Sequence, residues 1–198
     1  MARIVAIVEG HGEMDAVPIL LGRIAEAVAP ATDVAILPPI RVDRYGVVKQ
    51  GELERAVELA ARMTGTDGSI LLLLDADDDC PAELGPALLE RARAARPDRM
   101  IRVVLAKAEY EAWFLAATAS IAGRCDIDEA AAQPDDPEGI RDAKRWLTAR
   151  MPFGRSYRPT RDQANLTEDF DLDAARQAAP SFDKLWRDVS ALLAPDTP

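Results

Sequence analysis

The hexamer Ser69–Leu74, SILLLL, runs straight into Asp75, Asp77, Asp78 and Asp79, and this juxtaposition constrains the fold more than any other segment. A short, uninterrupted apolar run bounded by turn residues reads as a strand buried on both faces, which is the signature of a parallel sheet. The carboxylates then crowd its C-terminal end.

The segments before and after it alternate in the same way. Ala2 to Val8 is a second apolar, β-branched run, ending at Glu9. From Gly12 to Ala29 the apolar residues Val17, Leu20, Leu21, Ile24 and Val28 recur at helical spacing. Val34 to Val42 reads as a strand interrupted by Pro38 and Pro39, which places it at an edge or ends it early. Glu52 to Met63 is helical, Gly65 to Gly68 a turn, Pro81 to Ala95 a helix, Ile101 to Leu105 a fourth strand, and a further helix runs from Glu109 or Glu111 to Ser120. Strict β, α alternation predicts an α/β fold with a mostly parallel four-stranded sheet flanked by helices, and a ligand site beyond the carboxyl ends of the strands. After Gly123 the pattern is helical and loop-rich, with helices expected at Pro137 to Arg150 and Ser181 to Leu193 and an irregular stretch between them. The expected organisation is a core over residues 1–120 and a helical C-terminal extension over 121–198.

At 198 residues the chain is long enough for one core with an appendage. No stretch approaches the roughly 20 apolar residues needed to cross a bilayer, and the first strand lacks the basic flank of a signal peptide. Cys80 and Cys125 have neither CxxC spacing nor nearby histidines, so neither a zinc site nor a disulfide framework is suggested, which fits a reducing cytoplasm. The net charge of −10 argues against nonspecific DNA binding over the whole surface. Between Arg141 and Arg161, however, seven basic side chains face the single acid Asp142, a local charge of +6 that leaves −16 on the rest. Trp146, Phe153 and Tyr157 interleave this strip, a composition suited to gripping a strand and stacking bases, or simply to a solvated face with its aromatics in the core.

The acids carry the chemistry. If the third strand continues past Leu74, its period of two points Asp75, Asp77 and Asp79 the same way. Bringing Glu9 alongside forces proton uptake unless a cation compensates. Hard oxygen donors suit magnesium or manganese, with room left for a phosphate. Alone, the DADDD segment is as well explained as a polar loop capping the next helix. Adding Glu9, and Glu109 and Glu111 after the fourth strand, favours a metal site and phosphodiester chemistry. A dinucleotide fingerprint fails because Asp15 stands where the third glycine belongs, and a phosphate-receiver domain would need a fifth strand before Lys107.

IVEGHGE at Ile7 to Glu13, followed by LLLLDADDD at Leu71 to Asp79, resembles the Toprim superfamily, in which a glutamate after the first strand and a DxD after the third bind magnesium. AKAEYEAWFLA at Ala106 to Ala116, YRPTRDQANLTEDFD at Tyr157 to Asp171 and SFDKLW at Ser181 to Trp186 look like a family of stand-alone Toprim-like proteins, domain of unknown function 4276. The resemblance implies kinship with the overcoming-lysogenization-defect nucleases, which use two metals and often work beside an ATPase in phage defence. It implies catalytic roles for Glu9, Glu13, Asp75 and Asp77, with Glu9, Asp75 and Asp77 on one metal and Glu13 or Glu109 near a second. His11, the only histidine, becomes a candidate base or ligand. Lys49, Lys107, Arg158 and Arg161 become candidate phosphate contacts, with Tyr157 beside them. The expected function is Mg2+- or Mn2+-dependent hydrolysis of nucleic acid. A non-catalytic partner or sensor subunit, or a phosphotransferase sharing the same metal site, are the competing classes.

Overall fold

The computed structural model describes residues 1–49 and 51–194. Four strands, β1 (Ala2–Val8), β2 (Val34–Arg41), β3 (Ser69–Asp75) and β4 (Ile101–Ala106), form one sheet in the order β2-β1-β3-β4, with every pair parallel. The period of two along each strand sorts the core. Ile4, Ala6 and Val8 of β1 and Leu71 and Leu73 of β3 face one layer, while Val5 and Ile7 and Ile70, Leu72 and Leu74 face the other. The first layer is built by α1 (Glu13–Val28) with the helices that follow residue 120, the second by α3 (Glu52–Thr64) and α4 (Pro81–Ala95). Both faces are therefore covered, which is why β1 and β3 are apolar at nearly every position.

Pro38 and Pro39 lie inside β2 rather than ending it. Leu37 pairs with Val5 and Ile40 with Ile7, so the two prolines stand opposite the single residue Ala6 in a bulge on an edge strand, where missing N–H groups cost least.

Other expectations are corrected. Arg44–Val48 forms a short helix, α2, capped by Asp43 accepting from the Gly46 N–H. The helix expected to run to Ser120 is broken into α5 (Ala112–Ala116) and α6 (Thr118–Ile121). Pro137 to Arg150 contains only a 3-10 turn at Pro137–Gly139 and α7 (Ala143–Thr148), restarted by Asp142, whose carboxylate accepts from the Arg145 N–H. The stretch expected to be irregular holds a π-helical turn (Pro159–Gln163), α8 (Ala164–Asp169) and α9 (Leu172–Ala178) before α10 (Pro180–Leu193). Among the described residues no helix is long and apolar enough to cross a membrane.

Residues beyond 120 share the α1-side core. Phe114, Phe170 and Phe182 stack edge to face with centroids 5.4 and 5.5 Å apart, and Trp113 meets Phe182 at 5.2 Å. Trp113 and Phe114 are core residues, fully buried. This packing brings α7 and the π-helical turn over the carboxyl ends of β1 and β3.

Candidate functional site

The loop after β1 is closed by a side chain. Glu13, at the start of α1, accepts the backbone N–H groups of Glu9 at 3.0 Å and Gly10 at 3.1 Å on the same oxygen, Oε2. Its carboxylate is buried, and it also sits where the helix dipole favours negative charge. A Cβ on Gly12 would lie 2.1 Å from Gln163 Oε1 and 2.7 Å from the Pro159 carbonyl carbon, so the π-helical turn seats against this loop only because residue 12 has no side chain. Gln163 Oε1 is buried without a hydrogen-bond partner, on the wall of a cavity of about 250 Å³ lined also by Glu9, His11, Glu13, Asp75, Glu111 and Lys144.

The loop after β3 turns where an extended continuation was expected. Asp75 is the last strand residue, and its Oδ1 accepts the Tyr110 N–H at 2.7 Å. Asp77 then adopts φ +50 and donates its N–H to the carbonyl of Ala108, itself at φ +59. Left-handed backbone at two facing non-glycine residues is costly and tends to cluster at functional sites. The turn separates the acids. Asp75 points into the 250 Å³ cavity, whereas Asp77 and Asp79 line a neighbouring cleft of about 350 Å³ with Glu9 and Arg44.

A protein cation occupies each side. In the cleft, Arg44 Nε lies 3.8 Å from Glu9 and 3.7 Å from Asp77, and the guanidinium hydrogen-bonds Asp79. In the cavity, Lys144 Nζ lies 2.9 Å from Glu109 Oε1, 3.2 Å from Glu111 Oε2 and 3.8 Å from Asp75 Oδ2. The Lys144 backbone N–H also donates to Glu109, and Tyr157 donates its hydroxyl to Glu111 Oε1 at 3.0 Å. Arg44 and Lys144 are site residues that sequence reasoning missed. Arg44 falls between the second strand and the helix from Glu52, where the sequence pattern assigns no element, and Lys144 stands out there only as part of the basic strip.

The electrostatics follow from this crowding. Burial raises the pKa of Glu13 to about 7, with the Glu9 charge adding to it and the two N–H donors opposing it. Burial, then Glu13 and Glu111, raise Asp75 well above its ordinary range. Glu9 is raised by burial and by Asp77, and Glu111 by burial, partly offset by Lys144. Burial works against the charge of Lys144, but Glu111, Asp75 and Glu109 outweigh it and hold the ammonium protonated.

The remaining sequence candidates are dispersed. His11 is exposed on the cavity rim. Lys49 is exposed at the end of α2, its carbonyl accepting from Arg91. Lys107 lines a different, mainly apolar cavity of about 480 Å³ between α4, β4 and α10. Arg158 is exposed, with its N–H on Asp162. Much of the basic strip is paired internally: Arg155 and Arg161 hold the buried Asp162, Arg141 pairs with Asp78, and Arg150 stacks on Trp146 at 3.3 Å. Phe153 is fully exposed and Tyr157 buried.

Among the described residues no three His, Cys, Asp or Glu side chains form a preassembled metal-binding group. The donor chemistry nonetheless fits a hard divalent cation. Glu9 Oε2 is buried without a hydrogen-bond donor, and Glu111 Oε2 meets Lys144 in an ion pair that lacks hydrogen-bond geometry. Buried carboxylate oxygens left unsatisfied are what a bound cation relieves.

The comparisons with known proteins agree in extent with this single body of structure. No curated protein and no solved structure matches the chain. One family matches residues 8–190, from the end of β1 to α10, and the chain therefore belongs to the family described as Domain of unknown function (DUF4276).

Proposed function

We propose that the protein is a Mg2+- or Mn2+-dependent phosphodiesterase of the Toprim type that hydrolyses nucleic acid. The observation that carries the reading is Glu9, which lines both the cavity that holds Asp75 and the cleft that holds Asp77, and whose Oε2 is buried without a donor. Glu9, Asp75 and Asp77 would hold the ion, with Asp79 beside them. When bound, such an ion supplies a Lewis acid for the phosphate oxygens and lowers the pKa of a coordinated water.

The chain's own residues do the rest. Glu13 fixes the Glu9–Gly10 backbone, so the position of the Glu9 carboxylate is set by a buried carboxylate rather than by a free loop. Arg44 and Lys144 place positive charge at the edges of the site, where each would face the phosphate of a bound phosphodiester. His11 and Arg158, both exposed, stand where they could meet substrate. A partner ATPase is part of the same proposal, as is the role in phage defence that the Toprim resemblance implies.

A second reading is a metal-binding partner or sensor subunit without catalysis. It is favoured by the internal pairing of Arg141, Arg155 and Arg161, which removes cations that a strand of nucleic acid would otherwise use.

Incubating the purified protein with single- and double-stranded DNA and RNA in 5–10 mM (order of magnitude) Mn2+ or Mg2+ separates the two. The nuclease reading predicts cleavage that chelation and Asp77→Asn both abolish. Absence of cleavage across these substrates in a preparation shown to bind metal would sink it in favour of the partner subunit.

A further inference from the structure

Lys144 differs from the other basic residues of its strip in being built into the acidic site from two directions. Glu109 accepts from its backbone N–H at 3.2 Å on one oxygen and from its ammonium at 2.9 Å on the other, so one carboxylate fixes both ends of the residue. The residue stands in the first turn of α7, restarted by Asp142, and the Thr148 hydroxyl donates to its carbonyl. The ammonium is thereby held between Asp75, Glu109 and Glu111, at distances from 2.9 to 3.8 Å. Glu111 is 1% exposed and keeps one oxygen without a hydrogen bond, and the buried Gln163 Oε1 lines the same cavity without a partner.

Three carboxylates around one ammonium have the hard oxygen donors that a divalent ion would also take. The two sides of the site are unequal in this respect. On the Lys144 side the cation makes a direct hydrogen bond to Glu109 and a 3.2 Å ion pair with Glu111, with Asp75 at 3.8 Å. On the Arg44 side only Asp79 receives a hydrogen bond, while Glu9 and Asp77 stand at 3.8 and 3.7 Å and Glu9 Oε2 has no donor. The buried oxygen without a donor on this side is Glu9 Oε2, and the half-exposed Asp77 shares its cleft.

We propose that Lys144 is a built-in cation that takes the place of a second metal between Asp75, Glu109 and Glu111, limiting the protein to one divalent ion per chain, bound on the Glu9 and Asp77 side. The proposal rests on the metal-dependent reading above, moves Asp75 from the ligands of the ion to the ammonium of Lys144, and departs from the two-metal arrangement that the Toprim resemblance implies. An ammonium offers three N–H donors and a single charge but cannot coordinate a water, so any activated water belongs to the Glu9 side, and Lys144 contributes positive charge alone.

The test is a count of bound Mn2+ on the full-length protein, by calorimetry and by native mass spectrometry. Wild type is expected to bind one ion per chain, Lys144→Arg one, and Lys144→Met two, because removing the ammonium leaves three carboxylates to be compensated. Two ions in the wild type, or one in a folded Lys144→Met variant, would overturn the proposal. If Lys144→Met does not fold, the wild-type count decides by itself. No ion in the wild type overturns the metal-dependent reading together with this one, whereas two ions overturn this one only.

Discussion

The hydroxyl of Tyr157 donates a 3.0 Å hydrogen bond to Glu111 Oε1, tying the strip after α7 to the acid that follows β4. Both partners are buried, Glu111 to 1% exposure. Tyr157→Phe keeps the ring and removes only the donor, leaving a buried carboxylate oxygen unsatisfied at a cost of about 1–3 kcal/mol. Urea denaturation of wild type and variant without metal should show that loss with an unchanged m-value. Equal stability would mean that the hydrogen bond is not made in solution.

Two glycines of the same helix region should respond oppositely to alanine. At Gly12 the new Cβ meets Gln163 Oε1 at 2.1 Å and the Pro159 backbone at 2.7 Å, and backbone cannot move aside cheaply. Overpacking of this kind costs about 1–3 kcal/mol. At Gly22, inside α1, the Cβ would touch only Ile36 Cδ1 at an ordinary 3.8 Å. Gly22→Ala should therefore gain roughly 0.5–1 kcal/mol from helix propensity. Thermal unfolding of both variants checks the pair, and a neutral Gly12→Ala would show that the π-helical turn does not press on the loop.

The buried acids make the metal-free protein pH-sensitive in a defined direction. Glu13 has an ordinary value of 4.5 and a folded value of about 7, and Asp75 is shifted the same way. Between those two values the folded state binds more protons than the unfolded one, so stability falls as pH rises through the window. Without metal, Tm near pH 5.5 should exceed Tm near pH 8 by something on the order of 5 °C. Glu13→Gln should flatten the profile, because the amide has no titrating proton and stays neutral across the window. A Tm that rises from pH 5.5 to 8 would contradict the burial of these carboxylates.

The strands, their order of appearance and the sheet class were legible because β1 and β3 are apolar enough to be buried on both faces and alternate with helical segments, as a parallel sheet requires. Glu9 and Asp75 were legible as neighbours for the same reason, each standing at the end of one of two adjacent strands. The direction of Asp77 was not. A period-two argument assumes extended backbone, and Asp77 instead takes a left-handed conformation beside Ala108. Lys144 and Gln163 were hidden because their proximity to the acids depends on how some 40 residues of extension fold back over the sheet, mostly through short helices with no long periodic pattern to read. Arg44 was hidden by the brevity of α2, whose only local signal is the Asp43 cap.

Calorimetric titration of Mn2+ into the wild type and Asp77→Asn near pH 7.5 tests the proposed metal site most directly, since asparagine keeps the shape and tolerates the left-handed backbone while removing the charge. Saturable binding by the wild type, weakened by at least about tenfold in the variant, which corresponds to roughly 1.4 kcal/mol, is the predicted result. Absence of binding in the wild type, or equal binding in both proteins, would contradict a divalent-cation site at Glu9, Asp75 and Asp77.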